Sequence, residues 1–253
     1  MFWSVFSVLI YTPLYNALVF LIDVLPGGSV GLSIIILTIV VKILLFPLAR
    51  QATRTQLTLK KIAPALEEIK KKYKDNQQEQ VAQMLRVYKQ HRVHPLSGVL
   101  VIFIQLPIVI GLYWVFYKGG LPNIHQELLY SFVMAPQEVY MNFLGHFNLS
   151  EKSLFLATIV AITQLLIGHI TFEAPVVTSK PGESLKDDIM RSLHLQTKYV
   201  LPLMLGVFAY VLASAVALHW ITGNIFTIVQ DILVKRRFRA IEKSEAQAGQ
   251  AQN

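Results

Sequence analysis

One lysine lies inside an otherwise apolar run of the chain. Residues 29–48, SVGLSIIILTIVVKILLFPL, contain Lys42 as their single charged side chain. A helix of about 20 apolar residues matches the roughly 30 Å hydrocarbon core of a bilayer. At about 1.5 Å per residue, Lys42 is expected about 9 Å from the C-terminal end of such a helix. A charged side chain in a span is costly and marks a functional position by default.

Two interpretations of Lys42 remain open from the residues alone. The side chain can snorkel, burying its methylene stem while the ammonium reaches the headgroups. Alternatively, it faces a wet cavity between helices. Polar residues in the other apolar runs favour the cavity, because uncompensated polar groups are costly in hydrocarbon. They are Gln105, Thr163, Gln164, Thr222, Asn224 and Gln230. A hydrogen bond between two helices accounts equally well for any one of them.

The composition is that of a membrane protein. Hydrophobic residues make up 54% of the 253 residues and charged residues only 15%, against about 25% charged in soluble domains. We therefore predict an all-α integral membrane protein with a five-helix transmembrane core, a cytoplasmic helical hairpin and an N-terminal interfacial helix. The predicted spans are 29–48, 95–117, 153–172 and two short ones between 199 and 234, with a turn at Ser214 and Ala215.

The basic residues predict the orientation of the spans. Lys and Arg number 11 in residues 49–95, 2 in 118–152, 4 in 173–198 and 5 after Val234. Because positively charged loops stay inside, we place the first, the third and the C-terminal segments in the cytoplasm. The formal net charge of +8 then reflects topology and lipid headgroups, with no direct nucleic-acid specificity. The absence of an Arg- and Ser-rich transit peptide favours a bacterial plasma membrane.

Residues 1–25, in the N-terminal apolar segment 1–28, allow two placements. Residues 11–25 can form a helix in the outer interface, with Asn16 and Asp23 facing water, or the segment can cross as an additional span. Thr12-Pro13 and Asp23 interrupt the apolar run and favour the interfacial helix.

Residues 49–94 carry the pattern of a helical hairpin. Pro64 followed by Glu67 and Glu68 is typical of a helix start, and Asp75-Asn76 supplies a turn. Two apolar stripes can then pack together: Ile62, Leu66, Ile69 and Tyr73 on one helix, and Val81, Met84, Leu85 and Tyr88 on the other. The alternative is a solvated connector. Residues 235–253 are predicted to be a basic, disordered cytoplasmic tail.

Four segments, taken in order, resemble the YidC/Oxa/Alb insertase family. They are IIILTIVVKILLFPL (34–48), KKIAPALEEIKKKY in the hairpin, VHPLSGVLVIFIQLPIVIGLYWVF (93–116) and SAVALHWITGNIFTIVQD (214–231). The third carries Pro95, Gln105 and Pro107 in family-like positions. The resemblance covers roughly residues 10–240.

The resemblance implies five helices around a hydrophilic groove that opens to the cytoplasm and to lipid and is closed on the outer side. The family's intramembrane basic residue maps onto Lys42, although the family usually has arginine there. The groove set implied is Lys42, Gln105, Thr163, Gln164, Trp220, Asn224 and Gln230, and the substrate-recruiting hairpin set is Pro64, Tyr73, Met84 and Tyr88.

The function implied is a membrane-protein insertase and chaperone without catalytic residues, metal or cofactor. It moves short polar tails of substrate proteins through the groove and releases their apolar helices into lipid. The implied partners are nascent membrane proteins and the bilayer, with the ribosome and the Sec translocon as candidates.

Three other classes of protein compete with this one. A transporter or channel with a lone intramembrane lysine would show repeats and paired intramembrane charges, which the sequence lacks. An enzyme would need a motif such as HExxH, GxSxG or GxxxxGK, and none occurs. A scaffold with the same fold is not separable from an insertase by sequence.

Overall fold

The computed structural model describes residues 2–93, 97–117, 121–171, 192 and 195–251, and these are mainly helical. Pro95 and most of the predicted loop 173–198 lie outside the described residues. The α-helices are α1 (Phe2–Phe6), α2 (Thr12–Val24), α3 (Val30–Lys72), α4 (Gln77–Gln90), α5 (Ser97–Tyr117), α6 (Leu154–Thr171), α7 (Leu201–Val211) and α8 (Ser214–Ala251). Short π-helical turns, Ser7–Tyr11 and Gln196–Val200, precede α2 and α7.

Three described helical stretches are long and apolar enough to cross a membrane: Ser4–Val24, Val30–Lys72 and Ser214–Ile241. Two shorter apolar stretches are Phe103–Tyr117 and Leu154–Ile170. This confirms an all-α membrane protein, while the five-helix core itself stays a prediction. The break before α8 falls at residues 212–213, so Ser214 begins the helix and is not a turn residue.

The chain forms two compact units, residues 1–44 with 104–228, and residues 45–103 with 229–253. In the first unit, apolar side chains of α2, α3 and α5 form the main core. Tyr15, Leu18, Ile22, Val30 and Val115 are completely buried there. The N-terminal helical stretch is therefore packed against other helices of its own unit.

The prediction that Asn16 faces water is wrong. It is 3% exposed, its side-chain Nδ2 donates to the carbonyl of Leu128 at 2.8 Å, and its Oδ1 accepts from the amide of Tyr130 at 2.6 Å. An amide side chain can satisfy backbone groups of a loop in this way, which accounts for its burial. Asp23 is exposed. Whether this helix crosses or lies in the interface stays a prediction.

The segment between α5 and α6 joins the N-terminal ends of α3 and α8. It contains a small antiparallel hairpin, β1 (Asn142–Phe143) and β2 (Phe147–Asn148). The amide of Val30 donates to the carbonyl of Tyr140 at 3.1 Å, and the amide of Tyr140 donates to Gly28 at 2.8 Å. The amide of Ser214 donates to the carbonyl of Glu151 at 2.8 Å. The bonds donated by Val30 and Ser214 satisfy amides that helix starts leave without intrahelical partners.

The second unit contains the helical hairpin. Ile62, Leu66 and Val93 are buried together, with Met84 and Tyr88 packed against them. Asn76 caps α4 by accepting from the amide of Glu79 at 3.1 Å. Burial raises the pKa of the Tyr88 phenol, so this side chain stays neutral.

Three details of the predicted hairpin and tail are wrong. Pro64 does not begin a helix, because α3 continues through it to Lys72; the surrounding Lys, Leu, Ala and Glu residues are strong helix formers and offset the one lost hydrogen bond. Val81 and Leu85 are 54% and 50% exposed, not buried. The C-terminal segment is helical to Ala251 where disorder was predicted.

Candidate functional site

Lys42 is directed toward α8. It is half-buried, and its Nζ donates to the Thr227 hydroxyl at 3.3 Å. Gly223, one turn before Thr227, leaves the space that the lysine stem occupies. A Cβ at that glycine would lie 3.2 Å from Lys42 Cε and 3.7 Å from Nζ. The Thr227 hydroxyl thus binds the ammonium, and Gly223 leaves room for the methylene stem between the two helices.

The Lys42 ammonium has no acidic partner within the described part of the chain: no carboxylate there lies within 4.0 Å of it. Its neighbours on α3 are apolar and exposed, namely Val40, Ile43 and Leu44, at 47%, 57% and 72%. A cation in such surroundings gains from any anion that can approach it, because attraction between charges strengthens as water is removed.

A buried polar network lies one turn from Lys42, centred on His219. This histidine is 3% exposed, and its Nδ1 lies 2.9 Å from Thr38 Oγ1. Gln105 Nε2 approaches His219 Nε2 at 3.4 Å. Because the Thr38 hydroxyl donates to the carbonyl of Ile34 at 2.6 Å, its oxygen must accept from Nδ1. A neutral imidazole protonated on Nδ1 therefore satisfies every partner, joining α3, α5 and α8.

The contacts also give the relative direction of α3 and α8. Thr38 of α3 pairs with His219 of α8. Lys42, which is one turn after Thr38, pairs with Thr227, which is two turns after His219. Residue numbers increase together on both helices, so the two helices run in the same direction here.

The other predicted groove residues separate into different environments. Asn224 Nδ2 donates to the Thr163 hydroxyl at 3.0 Å, a buried link between α8 and α6 of the ordinary interhelical kind. Trp220 packs against the apolar cluster around Val160. Gln164 is half-buried on α6. Gln230 is 5% exposed and belongs to the second unit. The first unit thus brings Lys42 and Gln105 to neighbouring polar contacts, while Thr163 and Asn224 form a separate pair.

Sequence reasoning missed four residues of this site: Thr38, His219, Gly223 and Thr227. A signal for them was present, because residues 219, 223 and 227 recur every four positions, as do 38 and 42. That spacing places each set on one helix face. Small and polar residues repeated on one face of an apolar helix are the pattern to look for.

The predicted recruitment residues of the hairpin are not equally available. Pro64 is exposed, and Tyr73 is half-buried. Met84 and Tyr88 pack inside the hairpin against Ile62 and Leu66. The apolar side chains that α4 offers outward are instead Val81 and Leu85.

Among the residues that the structure describes, no group of three or more His, Asp or Glu side chains could hold a metal ion.

Comparison with known proteins gives the family. The model of the family described as 60Kd inner membrane protein matches residues 21–243. A membrane protein insertase YidC of Oceanobacillus iheyensis is 30% identical over 214 residues, which is 83% of this chain and 76% of that protein. The insertase YidC of Fusobacterium nucleatum is 27% identical over 230 residues, covering 90% of this chain and 98% of that protein.

Longer relatives match as well. The insertase YidC of Neisseria gonorrhoeae is 27% identical over 220 residues, 87% of this chain, but the match spans only 35% of that protein. The chain thus spans about a third of the length of such relatives. The similarity to these three bacterial proteins and the apolar helices of the described residues together indicate a multi-pass bacterial inner-membrane protein. With the family model matching most of its length, the chain belongs to the YidC/Oxa/Alb family of 60Kd inner membrane proteins.

Proposed function

We propose that the protein is a membrane-protein insertase that receives short polar, often acidic, tails of substrate proteins at Lys42. The observation that carries this proposal is the Lys42 ammonium itself, which is half-buried between α3 and α8. Its described polar partner is the Thr227 hydroxyl. Family membership supports the same function, since the relatives named above are membrane protein insertases.

The ammonium lowers the cost of bringing a carboxylate partway across the membrane. A carboxylate that leaves water loses several kcal/mol of hydration, about as much as an uncompensated buried ion costs in proteins. A cation that is already partly desolvated, with its hydroxyl partner, replaces part of that hydration without first breaking an internal ion pair. No covalent step is required.

The His219 network limits how far a substrate tail travels. Its members are neutral and satisfy one another, so they offer little to an incoming charge. Beyond them, the segment containing Tyr140 and Glu151 is bonded to the starts of α3 and α8. We infer that the groove is closed at this end and opens on the opposite side of the His219 network, where Lys42 and Thr227 lie.

The shared direction of α3 and α8 supports a cytoplasmic C-terminus. Helices that run in the same direction leave the membrane on the same side, so the C-terminal segment and residues 49–94 are on the same side of the membrane. The excess of basic residues in both favours the cytoplasm for that side.

Release of the substrate helix follows from its apolar surface. The exposed face of α3 near Lys42 is apolar, with Ile43 and Leu44 outermost. A tail held at Lys42 therefore brings the following apolar segment next to lipid. Burying that segment yields about 25 cal/mol for each Å² of apolar surface, which drives the step.

The test of this function is insertion by the purified full chain in liposomes. The substrate is a single-span protein with an acidic N-terminal tail, and the readout is protection of that tail from added protease. We expect protection well above that of empty liposomes. Protection equal to that of empty liposomes would remove the insertase proposal and leave a scaffold with the same fold.

The hairpin is proposed to capture the substrate through its exposed apolar side chains. Replacing both Val81 and Leu85 by serine is expected to lower photo-cross-linking of the substrate to α4 several-fold. The replacement removes apolar contact with the substrate, and each buried methylene group contributes about 0.8 kcal/mol to the free energy of binding. The fold should persist, since both side chains are at least half exposed.

The exposed polar Gln78 on the same helix provides the matched control, and Gln78→Ser should cross-link as the natural protein does. Unchanged cross-linking in the Val81/Leu85 double variant would exclude this face as the capture surface.

A further inference from the structure

A second site lies near the start of α3, away from Lys42. It is an open depression of about 550 Å³, within the range of about 300–1,000 Å³ typical of small-molecule sites. Leu32, Tyr140, Phe143 and Leu144 supply its apolar part, and Glu138 and Asn142 supply polar groups. All of these residues belong to the first unit.

Backbone pairing fixes the depression at the level where α3 begins. The amide of Val30 donates to Tyr140, and the amide of Tyr140 donates to Gly28. Leu32 lies in the first turn of α3, which is long and apolar enough to cross the membrane, and its side chain is 44% exposed. The depression thus runs from the apolar surface of the span to the polar segment that covers its end.

The exposed side chains of this depression are apolar or interfacial in type, which favours contact with lipid over contact with water. Leu144 stands at the tip of the β1–β2 hairpin with 71% of its surface exposed, and Tyr140 is 50% exposed. Tyrosine is enriched at membrane interfaces, where its ring is apolar and its hydroxyl reaches water. An exposed leucine at the level of a span's end is stabilised when an acyl chain covers it.

The charge of the depression selects the headgroup. Glu138 is the one charged residue of its lining, and the lining includes no lysine or arginine among the described residues. We propose that the depression binds a phospholipid whose headgroup carries an ammonium group, with the ammonium near Glu138 and an acyl chain along Leu32 and Leu144. This site does not depend on the insertion mechanism at Lys42.

The chain has no cysteine, so a single fluorescent label can be placed at will. We would label Leu144→Cys with bimane in vesicles of equal ethanolamine and glycerol phospholipid, with a spin-labelled acyl chain on one or the other lipid. Quenching by the ethanolamine lipid is expected to exceed that by the glycerol lipid by about threefold, since an exposed ion pair shifts an equilibrium by only a few fold. Glu138→Gln should abolish this preference.

Val207→Cys is the matched control, because Val207 is 64% exposed on α7, belongs to the same unit and is not part of the depression. We expect both lipids to quench it equally. Equal or inverted quenching at position 144 in the Glu138 protein would overturn the proposal, as would quenching there by aqueous iodide but by neither lipid.

Discussion

Lys42→Ala is expected to abolish insertion of an acidic substrate tail, and Lys42→Arg to retain it. The alanine variant removes the ammonium that donates to Thr227, whereas arginine keeps a permanent positive charge at the same position. A desolvated carboxylate without a partner costs several kcal/mol, and the Lys42 ammonium compensates part of this cost. Losing that compensation lowers the equilibrium constant for insertion by more than about tenfold, since 1.4 kcal/mol corresponds to a factor of ten. Protease protection of the tail in liposomes measures the effect.

Two controls separate charge from packing. Lys42→Met keeps the length and apolar stem of the side chain and should fail as alanine does. Thr227→Val removes the hydroxyl partner but leaves the charge, and should retain most of the activity. If natural, arginine and alanine proteins all insert the tail alike, Lys42 acts as a snorkelling residue, and hydration of the groove must carry the effect.

A substrate with an uncharged polar tail makes the test more specific. The difference between natural and Lys42→Met proteins should shrink with that substrate, because there is no carboxylate for the ammonium to compensate. An equally large loss for the uncharged tail would contradict charge compensation and indicate damage to the groove itself.

The class of protein and most helix positions could be predicted from the sequence, because apolar length and loop charge are local properties. Lys42 could be singled out for the same reason, as a charge in an apolar run. The repeat of residues 219, 223 and 227 marks a small and polar face of α8. The pairing of that face with Lys42 could not be predicted, since which face of α8 meets α3 depends on packing between segments 185 residues apart. A polar residue in a span shows that a partner is needed, but not which one.

Asn16 and Met84 show the same limit from two directions. Asn16 was expected in water because it is polar, but the loop around Leu128 offers it backbone partners. Met84 was expected to be buried and also to meet substrate, and the structure packs it inside the hairpin. Residue type predicts the preference for burial. The neighbour that satisfies this preference is determined by tertiary structure.

Gly28→Ala is expected to destabilise the first unit by about 3 kcal/mol or more, through steric conflict and the loss of hydrogen bonds worth about 1 kcal/mol each. Gly28 has φ +57°, and a Cβ there would overlap the backbone carbonyl group of Glu138. Neither backbone can yield without breaking the pairing of Tyr140 with Gly28 and Val30. The free energy of unfolding in detergent, measured by denaturant titration, gives the size of the effect.

Gly27 offers a matched control within the same turn. Its φ is +68°, but nothing lies within 4 Å of a Cβ built on it. Gly27→Ala therefore carries only the cost of a left-handed conformation, about 1–2 kcal/mol, whereas Gly28→Ala adds the steric conflict. Amide exchange at Val30 and Tyr140 should accelerate in the Gly28 variant and stay slow in the Gly27 variant. Equal stability and equal exchange in the two variants would mean that the 138–140 segment does not press on the start of α3, and the closed end inferred for the groove would lose its support.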